Sequence, residues 1–309
     1  MQTAKGFPGP LGALLWPQIA PPDVLGPGEA PRHARAVLRF RCDDGGFSGR
    51  RGRSDLYYTS FAVASLVATG GLTDEIAEPL RAFLAGQKPD TLIDQLNLLT
   101  TPFLLAAPWR ELPAPDAVRE FVRTFRTPDG GYGQRRGAPH GSTYHSYLAM
   151  LCLAARGLEI PDSAGLCNFL LARRRSDGGF ADLPHGRTGQ TNATAAALQL
   201  AAFIVLPEET VEAAVDYLAA RQDATGGWLA SDRAPFPDLL STYSALVALA
   251  GAGRLDRIDL DRACEFTRAS AGPDGGFGAG PWDAAVDTEY TFYGLGILAL
   301  AAMAGLRME

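Results

Sequence analysis

The chain has 309 residues, 47% hydrophobic and 20% charged, a balance that excludes a disordered or fibrous protein and leaves room for a large core. Thirty-four acidic against 28 basic residues, a net charge of −6, give no general positive field for nucleic acid or an anionic membrane, so any anion site has to be local. Lys5 and Lys88 are the only lysines, which argues against Schiff-base chemistry, and Cys42, Cys152, Cys167 and Cys264 lack disulfide-scaffold or CxxC spacing and are expected to be reduced thiols.

Residues 1–29 are rich in proline and glycine and carry no helical period, so they are expected to form an arm ahead of one domain spanning 30–309. The apolar run Leu11 to Trp16 is broken off by prolines and lacks a basic leader, so no signal peptide and a cytoplasmic location are expected. Beyond the arm the chain repeats. Gly-Gly-aromatic triplets stand at Gly45-Gly46-Phe47, Gly130-Gly131-Tyr132, Gly178-Gly179-Phe180, Gly226-Gly227-Trp228 and Gly275-Gly276-Phe277, at intervals of 85, 48, 48 and 49 residues. The first interval is nearly two periods, and a degenerate turn near Gln87 to Asp90 fills it, making six units.

Each unit reads as two helices. Before the turn lies an amphipathic stretch, as in Val118, Phe121, Val122, Phe125 and in Val211, Ala214, Val215, Leu218. After it comes a short polar loop and a stretch apolar on nearly all sides, such as Phe61 to Val67 or Tyr147 to Ala155. The apolar stretches Ala193 to Leu206 and Tyr290 to Leu306 read as buried helices and not as membrane spans. Asp116, Asp162 and Asp259 mark the starts of wet helices, and Thr143, Thr191, Thr242 and Thr288 those of dry ones. Six such pairs close into an all-α α6/α6 toroid, six dry helices inside and six wet ones outside. All loops from a glycine turn to an inner helix then gather at one mouth, towards which the inner-helix N-termini point.

The segment Tyr217-Leu218-x3-Gln222-x3-Gly226-x-Trp228 resembles the QW repeat of squalene-hopene and related triterpene cyclases. Pro237 to Leu246 and Pro273-Asp274-Gly275-Gly276-Phe277-Gly278 are similar to repeats of protein prenyltransferase beta subunits. The resemblance spans residues 30–309 and implies the toroid, with a small-molecule substrate carrying an anionic group. It does not carry over zinc: in the segment resembling Asp-x-Cys-Tyr, Asp55 is followed by Tyr57, and Tyr290 stands where the histidine ligand would be. Whether Mg²⁺ accompanies an anion stays open.

Other positions match better. His140-Gly141-Ser142-Thr143-Tyr144 resembles the His-Gly-Gly-Tyr-Thr segment whose histidine holds a diphosphate, and Arg50 and Arg53 match the residues that share that task. Asp287-x-Glu289-Tyr290-Thr291 partly resembles the Asp-x-Asp-Asp-Thr proton donor of class II terpene cyclases, with Glu289 at the donor position. Asp287 and Glu289 cannot both cap one helix, which leaves Glu289 for acid or base work, with Asp287, His145 and Tyr290 beside it as catalytic candidates. His185 and Arg187 occupy the mouth loop of the following unit, and Asp55, Tyr58, Tyr144 and Tyr243 are candidates for substrate contact.

The resulting expectation is a bacterial enzyme of specialised metabolism, suggested by the arginine-rich, lysine-poor composition, that performs alkyl transfer or cyclisation with loss of diphosphate, phosphate or sulfate. The alternatives are a non-catalytic scaffold or a beta-like subunit needing a partner protein and, below them, protonation by Glu289 in the manner of class II cyclases. An inverting glycosidase or a lanthionine cyclase, which use similar toroids, fits the residues less well.

Overall fold

The structure, a computed structural model, describes residues 25–26, 28–105 and 112–305, so nearly all of the expected arm lies outside the described residues. These form twelve α-helices and a short 3₁₀ turn, with β-bridges only as isolated pairs. The outer helices are α1 (Glu29–Leu38), α3 (Asp74–Ala85), α5 (Pro115–Arg123), α7 (Ser163–Arg173), α9 (Glu208–Ala219) and α11 (Leu260–Ala269). The inner helices are α2 (Leu56–Ala68), α4 (Leu92–Leu104), α6 (Thr143–Ala154), α8 (Thr191–Leu200), α10 (Leu239–Gly251) and α12 (Thr288–Met303).

Apolar patterning decides which ring each helix joins. In α5 only Val118 and Val122 are buried, whereas α6 buries every residue from Ser146 to Leu153. Each inner helix packs against the next, from α2 through α4, α6, α8 and α10 to α12, and α12 packs back on α2 to close the ring. The apolar stretch that begins at Ala193 ends its helix at Leu200, short of Leu206. Pro207 disfavours helical geometry in the residue before it, and Val205 is left 91% exposed.

The glycine turns are fastened from both sides. In the last, Gly275 has φ +93°, and a Cβ there would stand 2.5 Å from the Arg32 carbonyl oxygen of α1. The second glycine of a turn is selected mainly by close approach: a Cβ on Gly131 would meet the Phe169 ring of α7 at 2.4 to 2.7 Å, although its φ is ordinary. The turn aromatics Phe47, Tyr132, Phe180, Trp228 and Phe277 are buried, and their backbone N–H groups donate to Thr59, Ser146, Thr194, Thr242 and Thr291. These hydroxyls are the fourth residues of their inner helices. Thr242 therefore does not start α10 as its sequence position suggests: Asp238 caps that helix, accepting from Ser241 N–H at 2.7 Å. Asp162 and Asp259 do cap α7 and α11, while Asp116 falls inside the first turn of α5.

The QW segment also acts as a tie. Gln222 Nε2 donates to the Asp259 carbonyl at 2.6 Å and Gln222 Oε1 accepts from Asp259 N–H at 2.8 Å, joining the end of α9 to the start of α11. Ring closure uses α1 in the same way. Arg32 donates to the Gly272 and Pro273 carbonyls, and His33, 1% exposed, stacks on Phe277 and accepts the Gly276 N–H at Nδ1. Cys152 and Cys264 are buried, Cys42 and Cys167 half-buried, and all four are free thiols. No helix among the described residues is long and apolar enough to cross a membrane.

Candidate functional site

The inner helices start in register, so equivalent positions form layers around the axis. Counting from the first helical residue, the fifth and sixth positions of all six helices, from Ser60 and Phe61 round to Phe292 and Tyr293, line one central cavity of about 510 Å³. Positions 2, 5, 6 and 9 of a helix share one face, which is why a helix that looks apolar all round still has a distinct inward stripe. One side of the cavity is an aromatic wall: Phe61 packs on Tyr57, Phe292 and Tyr293 with ring centroids 4.8 to 5.6 Å apart, and Tyr243 joins at 5.2 to 5.3 Å. Among the described residues the lining contains no Lys, Arg or His, and Asp182 is its one charged residue.

Glu289 is the second residue of α12 and sits one side chain behind this surface. Its Oε1 accepts the Tyr57 hydroxyl at 2.7 Å and the Tyr293 hydroxyl at 3.3 Å, and both tyrosines line the cavity. Burial raises the Glu289 carboxyl above the ordinary glutamate range, against the lowering effect of these two donors. Asp287 has the structural task, accepting the Tyr290 N–H as helix cap at 2.8 Å. It also takes the Arg50 Nε–H at 2.8 Å, and Arg50 Nη2 reaches Asp283 at 2.6 Å. Tyr290 lies under that guanidinium and, like Tyr58, outside the cavity wall.

Arg50, Arg53 and His140, the residues expected to hold an anion, make no contact with one another among the described residues. Arg50 is matched by two carboxylates, and no hydrogen bond, ion pair or ring contact among the described residues joins Arg50 or the exposed Arg53 to His140. His140 lies on the rim, its ring 5.7 Å from His185 and its Nδ1 3.9 Å from Asp129, and Arg187 is exposed nearby in sequence. His145 is turned to its helix cap, with Nδ1 2.9 Å from Ser142 Oγ, and burial lowers its pKa. The inner-helix heads are largely satisfied by protein. Thr143, Thr191 and Leu239 N–H groups donate to carbonyls of the next mouth loop, at Asp182, Ala230 and Ala279. Asp182 also accepts the Tyr144 N–H and the Ser142 hydroxyl. Asp55 caps α2. Tyr144 and Tyr243 line the cavity.

Among the described residues no group of three or more His, Cys, Asp or Glu is placed to hold a metal ion, and Tyr57 and Tyr290, where zinc ligands would stand, supply no thiolate or imidazole. Sequence reasoning missed Asp182, Asn97, Asn192 and Gln199. The signal was available in the last three, as polar residues at helical spacing inside apolar stretches.

The prenyltransferase alpha-alpha toroid domain model matches residues 23–194, 96–231 and 193–308. The chain belongs to that family. Among solved structures, this toroid is similar to Candida albicans protein geranylgeranyltransferase-I complexed with GGPP, at 15% identity and a TM-score of 0.72, covering 88% of this chain and 90% of the other. It is also similar to a variant of the type II terpene cyclase MstE from Scytonema bound to geranylgeranyl dihydroxybenzoate, at 14% identity and a TM-score of 0.58, over 94% and 100% of the two chains. A protein from Actinoplanes matches at 18% identity and a TM-score of 0.59, over 90% and 99%. No curated protein sequence gives a significant match. At these identities the neighbours establish the toroid, and the chemistry has to be argued from the site.

Proposed function

We propose that this toroid is an enzyme that folds an extended, isoprenoid-like apolar chain in its central cavity and starts a cyclisation by protonating it from Glu289. The observation that carries the reading is a half-buried carboxyl with a raised pKa, bonded to two tyrosines that themselves form the wall of an aromatic cavity. Burial keeps the carboxyl protonated at higher pH, and the Tyr57 and Tyr293 hydroxyls stabilise the carboxylate left after the proton departs, so they favour the transition state over the starting acid. Because Glu289 stands behind the surface, Tyr57 relays the proton: the protonated carboxyl donates to the Tyr57 oxygen, the alkene π pair takes the Tyr57 proton as the phenol oxygen takes that of Glu289, and the bond is left in the direction seen in the structure, Tyr57 donating to the carboxylate. The carbocation then travels along the ring faces of Phe61, Phe292, Tyr293 and Tyr243, whose quadrupoles favour positive charge, until it loses a proton or captures a nucleophile.

The neighbours support this reading as analogies, one described with GGPP and one with a geranylgeranyl dihydroxybenzoate. Alkyl transfer with loss of an anion has less support here, because Arg50 is already paired and none of the described residues lining the cavity is basic. Incubation with prenyl alcohols, prenylated phenols and prenyl diphosphates in D₂O separates the readings by mass spectrometry. Protonation gives a cyclised product carrying one deuterium from solvent, whereas transfer releases diphosphate. Conversion of no compound in the panel leaves the scaffold or partner-dependent subunit as the better reading.

A further inference from the structure

Asp182 departs from its equivalents in the other mouth loops. The position two residues after the turn aromatic holds Gly49, Gln134, Asp182, Ala230 and Ala279 in the five glycine units. Its shared task belongs to the backbone: the carbonyls of Asp182, Ala230 and Ala279 each accept the first N–H of the preceding inner helix, and two of the three do so from an alanine. Nor does α6 depend on a second acid at its head, because Ser142 already caps it by accepting the His145 N–H at 3.1 Å. The carboxyl is therefore an addition to the frame, and it is held firmly. Its Oδ1 accepts the Ser142 hydroxyl at 2.7 Å and the Tyr144 N–H at 3.0 Å, and Ser142 Oγ is in turn 2.9 Å from His145 Nδ1. Oδ2 has no partner among the described residues and is not enclosed, and Asp182 lines the cavity.

None of the described residues lining the cavity is basic, so nothing there neutralises this carboxylate, and a positive charge arising in the ligand is favoured beside it. Asp182 also stands across the ring from the acid: it is bonded to the heads of α6 and α8, whereas Glu289 and Tyr57 belong to the heads of α12 and α2. The Tyr144 phenol, pushed up to about 12 by burial, Glu289 and Asp182, lies within electrostatic reach of both carboxyls. From this geometry we infer that Asp182 is the base that ends the reaction, an inference that rests on the cyclisation proposed above and adds its last step. Oδ2 takes a proton from a carbon next to the cationic centre, the C–H electron pair becomes a new C=C bond, and the neutral carboxyl passes its proton to solvent at the mouth. One proton enters from Glu289 and one leaves to Asp182, so the product is an isomer of the substrate, a cyclic olefin and not a hydrated one. Because acid and base both stand at the mouth, the first and last carbons to react lie at one level, as they do in a chain folded back on itself.

The test compares wild type with Asp182→Asn, which keeps an acceptor for Ser142 and Tyr144, with Asp182→Ala, the residue of the next two units, and with Glu289→Gln. Farnesol and geranylgeraniol are the trial substrates, their products resolved by mass spectrometry. Wild type is expected to form an isomeric cyclic olefin, and Glu289→Gln to consume substrate about 100-fold more slowly. Both Asp182 variants are expected to go on consuming it, with main products that have gained a water or carry the double bond elsewhere. On the same proteins, dodecyltrimethylammonium, a stable cation, and neutral dodecanol compete with an environment-sensitive fluorescent probe. The preference for the ammonium is expected to fall by about tenfold in both Asp182 variants while dodecanol affinity is kept, which also shows that they are folded. Unchanged products from both Asp182 variants, or an ammonium preference that survives both substitutions, overturns the base and leaves protonation by Glu289 standing. Wild type that converts neither alcohol, or Glu289→Gln that converts them as fast as wild type, overturns the proposed function and this inference with it.

Discussion

At the residue scale the Glu289–Tyr57 pair makes the sharpest predictions. Glu289→Gln keeps the shape and removes the acid, so turnover is expected to fall by about 100-fold or more, the usual worth of a general acid. Tyr57→Phe should match that loss because it removes the hand-over group, while Tyr293→Phe, which loses only a 3.3 Å bond, should keep most activity. Single-turnover rates on the three variants check the order. The acid must be protonated to act, so the rate of the wild type should be highest at low pH and fall as pH rises through a value above the ordinary glutamate range. A pH–rate profile that climbs across that interval would assign Glu289 the role of base. Glu289 could be picked out in the sequence because Asp287 stands two residues earlier and supplies the cap. Its partner Tyr57 was legible only as a residue standing, like Tyr290, where a zinc ligand would be; the hydrogen bond itself, across 232 residues, depends on ring closure. Arg50 was hidden by the same closure, its charge being met by Asp283 and Asp287 from the far end of the chain.

At the element scale, each of five inner helices bonds a glycine turn through its fourth residue, in addition to being capped or shielded at its head. Thr242→Val removes the acceptor of the fully buried Trp228 N–H while conserving shape, and should destabilise the protein by about 1 to 3 kcal/mol in urea unfolding. Asp238→Ala, which deletes a cap, should cost about 1 kcal/mol. The helices and their two rings were legible from the sequence because period and wetness alternate with the glycine turns. The hydroxyls were not assigned correctly, since Thr at a helix start and Thr at its fourth position give the same local signal, and only the distance to the turn aromatic, 14 residues in most units, tells them apart.

For the whole molecule, the contact of α1 with the last turn completes on the outside the closure that α12 and α2 make on the inside. His33 is held mainly neutral by burial, which lowers its pKa, and as an acceptor for Gly276 N–H it has to stay unprotonated at Nδ1. A histidine with a folded pKa below its unfolded value contributes stability that is fully present above about 6.5 and is lost as pH falls towards the folded value. His33→Phe, which keeps an aromatic ring to stack on Phe277 but cannot take up a proton, should therefore flatten the fall in melting temperature between pH 7.5 and 5 relative to wild type. An identical fall in the two proteins would mean that closure does not sense protons. The seam has a topological meaning as well. The end of α12 and the start of α1 stand to each other as any inner helix stands to the outer helix that follows it, on the face away from the mouth. A polypeptide arranged in this way has no privileged first unit. Relocating its ends to another inner-to-outer junction would reorder the gene and leave the cavity, its layers and its mouth as they were, so relatives could share this architecture while reading their units from different starting points.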